Sequence, residues 1–317
     1  MVSPLSFFSI FLSLTLLSLV KGIQGATFTV VNKCQSTIWP GILANAGSQP
    51  LDSTGFELPS GGTRTFQAPP SWSGRFWGRT GCQFDTSTNQ GACTTGDCGS
   101  NQIECNGQNA KPPATLAEFT VVPGGQDYYD VSLVDGFNLP VMVEPTGGSG
   151  GSCSSTGCIT DLNRRCPSEL RDGSGAACKS ACEAFGTPEY CCSGEFGSPD
   201  TCKSSVYSEM FKSACPRAYS YAYDDASSTF TCGGADYVIT FCPSSTSQKS
   251  ANVGPLSISA TTGSDNGPPE SGDGPLGIDT SWLPNFVTGS SSTPIPSSSS
   301  WTWLFMIVSS YLLFYLS

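Results

Sequence analysis

Between Leu116 and Pro140 the chain reads LAEFTVVPGGQDYYDVSLVDGFNLP, and three carboxylates in this stretch are spaced so that they can meet. The breaker cluster Pro123-Gly124-Gly125 predicts a hairpin loop between two strands. Strand side chains alternate between faces. Ala117, Phe119, Val121, Tyr129, Val131 and Leu133 take the odd positions; Glu118, Thr120, Asp130 and Ser132 take the even ones. The register that sets apolar against apolar places Glu118 on the face of Asp130. Asp135 follows at the strand end, on the turn Asp135-Gly136. Carboxylates this close raise one another's pKa and call for a cation or a ligand. One acid and one base in such a set is what glycoside hydrolysis requires. The same spacing also suits a plain alternative, the solvated polar face of a half-buried sheet.

The surrounding chain supplies the elements that would hold these groups. ATFTVVN, TIWPGIL and GTRTFQA are β-branched or alternating runs between Gly, Pro and Ser breaks, and read as further strands. From Cys153 to Cys232 the texture changes. Ala176–Phe185 and Ser205–Ala214 read as helices inside a loop-rich, cysteine-dense lobe. The segment carrying these elements is long enough to bury a real core.

Composition narrows the chemistry. The 317 residues include 16 Cys and no His, with a formal net charge of -11 and only 12% charged residues. An even, high cysteine count points to an extracellular disulfide framework. Without His there is no Ser-His-Asp or Cys-His catalysis and no His-ligated zinc. An all-cysteine zinc site remains open on count alone, but an oxidising compartment pairs the thiols, and the reading is no metal and no cofactor. The acidic balance argues against nucleic acid, which needs a basic stripe.

The two ends read as targeting segments. Residues 1–25, with the apolar run Phe7–Val20, match a cleaved signal peptide; a retained N-terminal anchor is the alternative. All 16 Cys fall between Cys34 and Cys242. Residues 244–290 carry none, and their Ser, Thr, Gly and Pro content reads as a disordered stalk. Residues 291–317 end in the apolar run WTWLFMIVSSYLLFYL. Small residues at Gly289, Ser290 and Ser291, a spacer and that run match a GPI-attachment signal with Ser290 (or Gly289 or Ser291) as the attachment point. A short tail-anchor helix is the alternative. There is no Asn-x-Ser/Thr glycosylation acceptor.

The run Cys93-Thr94-Thr95-Gly96-Asp97-Cys98, followed by Cys105, resembles the thaumatin-like family of plant defence proteins. So do Arg75-Phe76-Trp77-Gly78-Arg79-Thr80-Gly81-Cys82, Leu116-Ala117-Glu118-Phe119, Asp130-Val131-Ser132, Asp135-Gly136-Phe137-Asn138, Tyr190-Cys191-Cys192 and Phe241-Cys242-Pro243. The resemblance covers residues 26–243. Two departures stand out: Asn89 and Asn101 occupy positions where the family has Gly, and Asn tolerates positive φ better than most residues.

The resemblance implies a mainly β fold: an antiparallel β-sandwich core, a small disulfide loop region (residues 80–112) and a partly helical, Cys-rich lobe (residues 153–232), with a cleft between core and lobe. It implies the pairs Cys34–Cys242, Cys82–Cys93, Cys98–Cys105, Cys153–Cys232, Cys158–Cys215, Cys166–Cys178, Cys182–Cys191 and Cys192–Cys202. It implies an acidic cleft of Arg75, Glu118, Asp130, Asp135 and either Asp224 or Asp225. Arg75 shares a strand face with Trp77 and Arg79, and its guanidinium would offset the carboxylates. Phe137 and Tyr223 are the aromatics expected to stack on sugars.

The function implied is a cell-surface defence protein that binds a β-1,3-glucan-type wall polysaccharide, as a monomer held on the outer plasma membrane leaflet by its GPI anchor. Weak endo-β-1,3-glucanase activity, with Glu118 as acid and Asp135 as base, is the alternative. A wall-anchored structural or sensing role, or inhibition of a foreign hydrolase, are further classes.

Overall fold

Among the described residues there are twelve strands: β1 (Thr27–Asn32), β2 (Trp39–Ala44), β3 (Thr63–Gln67), β4 (Ser73–Arg79), β5 (Gln83–Phe84), β6 (Gly91–Ala92), β7 (Leu116–Thr120), β8 (Asp127–Ser132), β9 (Val141–Thr146), β10 (Thr156–Cys158), β11 (Phe230–Cys232) and β12 (Asp236–Phe241). The computed structural model describes residues 25–244. The signal-peptide, stalk, lipid-attachment and apolar-tail assignments lie outside the described residues, apart from the single residues Gly25 and Ser244 at their borders.

Two five-stranded sheets form the core, in the orders β10-β9-β12-β1-β3 and β11-β8-β7-β4-β2. All pairs within them are antiparallel except β1 with β12, which run parallel. The two sheets meet through an aromatic layer. Phe28, Phe66 and Tyr237 come from the first sheet, and Phe76, Phe119 and Tyr129 from the second; all are buried. Phe28 packs edge-on against Phe119 at 4.7 Å between ring centroids, and Tyr129 meets Tyr237 at 5.1 Å. The alternation along each strand follows from this: whatever does not join the aromatic layer points out from the sandwich.

The outward face of the second sheet is covered at one end. Trp77 and Leu116 are buried there with Cys98, Cys105, Ala110 and Ala114 of the disulfide loop region. Arg79 lies in the same region and is fully buried, giving hydrogen bonds to the carbonyls of Trp39 at 2.8 Å and Ile103 at 2.6 Å. Burial pushes its guanidinium down to about 10, against the opposing pull of Asp97 and Glu104. Asn89 and Asn101 adopt φ of 55° and 58°, the left-handed region in which Asn is among the less costly non-glycine residues.

The Cys-rich lobe approaches the same face from the side. It joins the sheet through backbone bonds between Leu133 and Tyr219 and between Tyr219 and Val131, each 2.8 Å. Its longest helix is Val206–Ala214, with Ser205 as N-cap in a capping box with Ser208. The helix expected over 176–185 is shorter than its sequence suggests and covers only Ala181–Phe185. Cys178 is instead in extended pairing with Phe137, with N–H to carbonyl bonds in both directions at 2.7 and 2.8 Å. Ser180 starts the helix by accepting the Glu183 N–H, and Gly186 at φ 67° ends it.

The sixteen cysteines are joined as Cys34–Cys242, Cys82–Cys93, Cys98–Cys105, Cys153–Cys232, Cys158–Cys215, Cys166–Cys178, Cys182–Cys191 and Cys192–Cys202, leaving no free thiol among the described residues.

Candidate functional site

Between the loop region and the Cys-rich lobe, the second sheet is left open over one row of side chains. Across the strands this row reads Leu43, Arg75, Glu118, Asp130. Glu118 stands directly opposite Asp130 in the β7–β8 register. Asp135 reaches the row from the turn after β8. That turn is held by the Gly136 N–H on the Leu133 carbonyl at 3.0 Å and by the Ala114 N–H on the Asp135 carbonyl at 2.9 Å. Gly136 has φ 83°, and a Cβ there would come within 2.6 Å of the Cys178 carbonyl oxygen, so the close approach of lobe to turn requires glycine. Buried Asn138 pins the same segment, giving hydrogen bonds to the Gly78 carbonyl and Thr95 Oγ1 and accepting the Thr115 N–H.

Arg75, Glu118, Asp130 and Asp135 line an open cleft of about 430 Å³, with Leu116, Ser132, Val134, Tyr219, Ala222 and Asp225 completing its walls. Asp225 is thus the fourth cleft carboxylate. Asp224 turns away: its Oδ2 lies 2.9 Å from Lys212 Nζ and accepts from the Ser220 N–H and hydroxyl. Two sequence-based expectations are corrected. Phe137 is fully buried in the core, because its backbone pairing with Cys178 turns the ring into the sandwich, so it cannot stack on a ligand. Tyr223 does not line the cleft; Tyr219 does, with its hydroxyl on Asp225 Oδ1 at 2.8 Å. Tyr219 carried no signal in the sequence, since only the bridging of the lobe to Ser132 brings it there.

Electrostatically the cleft is under-compensated. Arg75 Nη2 lies 3.2 Å from Glu118 Oε1, the one ion pair within the row. Burial nevertheless wins over that pair: it raises the Glu118 carboxyl above its ordinary value, opposed by Arg75 and reinforced by Asp135. Asp130 is pushed up to about 8, first by burial and then by Glu118, with Arg75 opposing and Asp225 adding. Asp135 is raised by burial against Arg75. Burial thus raises both facing carboxyls, Glu118 and Asp130, above their ordinary values. A further acid, Glu183 of the helix Ala181–Phe185, escaped the sequence reading. It is pushed up to about 7 by burial, with Lys179 opposing and Asp135 adding, and its Oε2 has no protein partner. Buried Asp130 Oδ2 and Arg75 Nε likewise have none. Among the described residues no group of three or more His, Cys, Asp or Glu is arranged to hold a metal ion.

The sequence profile of the Thaumatin family matches residues 32–243. Thaumatin-like protein 1 of Arabidopsis thaliana is 66% identical over 250 residues, which span 76% of this chain and 96% of that protein. Pathogenesis-related thaumatin-like protein 3.5 of Cryptomeria japonica is 57% identical over 225 residues, 70% of this chain and 92% of that one. A protein of Prunus avium named glucan endo-1,3-beta-glucosidase is 53% identical over 238 residues, 73% of this chain and 96% of its own. A sandwich flanked by disulfide-stapled regions, matched by the family profile over residues 32–243 and by relatives at these identities, places the chain in the thaumatin family.

Proposed function

We propose that the cleft binds a neutral, hydroxyl-rich polysaccharide of the β-1,3-glucan type, as part of a defence role at the cell surface. The observation that carries this reading is the open row itself: Arg75, Glu118, Asp130 and Asp135 line one cleft with a single ion pair among them at 3.2 Å, so its polar groups are presented to ligand hydroxyls. A polyanion would instead meet four carboxylates and one guanidinium.

Slow cleavage of the same chain is the second reading, favoured by the raised pKa of Glu118 and by the name of the Prunus avium relative. Glu118 then protonates the leaving oxygen while Asp135 acts as base. Glu118→Gln separates the two. Sedimentation with insoluble β-1,3-glucan and reducing-sugar release are measured side by side. Retention without release in the wild type supports binding alone. Release that disappears in Glu118→Gln, with retention largely kept, supports hydrolysis. Retention by neither protein overturns both readings.

Eight disulfides suit an oxidising compartment outside the cytosol. The apolar tail and the small-residue site around Ser290 support attachment through a GPI anchor. Phosphatidylinositol-specific phospholipase C is then expected to release the protein from cell membranes; persistence in the membrane fraction, while a known GPI protein is freed, would show a spanning tail instead.

A further inference from the structure

The open face of the second sheet does not end at the carboxylates. Toward the β7–β8 hairpin, the next pair on that face is Thr120 opposite Tyr128. Strand β4 sets Ser73 beside Thr120, and β11 sets Thr231 beside Tyr128. Asn45, just beyond β2, donates to Ser73 Oγ at 2.8 Å, and Ser73 Oγ lies 3.1 Å from Thr120 Oγ1. A second row therefore runs Asn45, Ser73, Thr120, Tyr128, Thr231, parallel to the row of Arg75, Glu118 and Asp130. It is displaced from that row by two residues along each strand, roughly 7 Å.

The two rows differ in chemistry. The first is charged; the second holds hydroxyls, one amide and one aromatic ring, with no ionised group. Tyr128 is 53% exposed, although its neighbours Tyr129 and Asp127 on the same strand are buried. A flat ring bordered by hydroxyl and amide groups matches a neutral sugar. The apolar face of a pyranose lies on the ring, and its edge hydroxyls reach Thr120, Ser73 and Thr231. A Tyr fixed on a sheet supplies this contact area at little entropic cost, because only two side-chain torsions are at stake. An anion or a charged peptide finds no counter-charge in this row.

We propose that Tyr128 and its flanking hydroxyls form a second sugar subsite, continuous with the acidic cleft, so that one glycan chain lies along the direction of β7 and β8 and occupies both rows. This rests on the glycan reading of the cleft and adds to it a chain direction and a length requirement. Short oligosaccharides fill the first row alone; longer ones reach Tyr128.

The test is a calorimetric titration of the full protein with β-1,3-linked glucose oligomers, from the disaccharide to the hexasaccharide, for wild type, Tyr128→Ala and Tyr128→Phe. Thermal melts verify that all three are folded. Wild-type affinity is expected to climb with length. Tyr128→Ala should lose about tenfold on the hexasaccharide, the scale of one stacking contact, and flatten the climb. Tyr128→Phe keeps the ring and should stay close to wild type. Equal hexasaccharide affinity in wild type and Tyr128→Ala would make the row an ordinary solvated sheet face, with the cleft reading intact. No binding of any oligomer by the wild type would overturn the cleft reading and the subsite with it.

Discussion

Asp130 concentrates the electrostatic tension of the cleft in one carboxyl. Its folded pKa of about 8 lies above the ordinary 3.8, so between these values the native state binds more protons than the unfolded chain. Stability contributed in this way is fully present below the unfolded pKa and is lost as pH rises through the folded one. Glu118, Asp135 and Glu183 are shifted in the same direction and add to the slope. Melting temperature is therefore expected to fall between about pH 4 and pH 8, by roughly 5 °C for a domain of this size with its cleft open to solvent screening. Asp130→Asn keeps the shape without the ionisation and should flatten most of that decline. A variant whose melting curve keeps the wild-type pH dependence would show that Asp130 is solvated and ordinary. The carboxylate types and their shared face were legible from alternation alone. The size of the shift was not, because burial is its largest cause and burial depends on the lobe packed alongside.

At the scale of elements, the cleft wall opposite the sheet hangs on one lysine. Lys212 of the helix Val206–Ala214 gives hydrogen bonds to the Ala218 carbonyl at 3.1 Å and Ser228 Oγ at 2.7 Å, and pairs with Asp224 at 2.9 Å. These contacts tie down the segment that carries Tyr219 and Asp225 into the cleft. Lys212→Met leaves Asp224 half-buried without its cation. The expected loss is about 2 kcal/mol in denaturant unfolding, less than for a fully buried pair because the lysine keeps some solvent. Glucan retention should fall with it. Unchanged stability would show that the serine contacts of Asp224 suffice to hold the segment. The ambiguity between Asp224 and Asp225 could not be resolved from two adjacent residues of one type. It is decided by which of them faces Lys212.

At the scale of the molecule, the two ends of the described region are closed on each other. β1 and β12 lie side by side in parallel, and Cys34–Cys242 links residues 208 apart in sequence. Replacing both by Ala is expected to cost roughly 2–5 kcal/mol in chemical denaturation, largely by freeing the unfolded chain. The parallel pairing would remain, so the variant should fold with its cleft in place; a loss near zero would mean that strand pairing alone holds the ends.

The amino-acid sequence by itself determined the β7–β8 hairpin, its register and the face shared by Glu118 and Asp130. These depend on local alternation and on a breaker cluster, and a slip of one residue would have buried the charges. It also determined that Asn could stand at positions 89 and 101, since the requirement there is a backbone conformation carried by one residue. Tertiary structure alone decided the rest. Cys178 left the helix suggested by its surroundings because Phe137 offered both backbone partners. Phe137 went to the core and Tyr219 to the cleft because the lobe docks at Ser132. The row of Tyr128 emerged only when β4 and β11 were laid beside the hairpin. Each of these outcomes depends on which distant segment lands against which face, and that is settled by packing across the whole chain rather than by any local pattern.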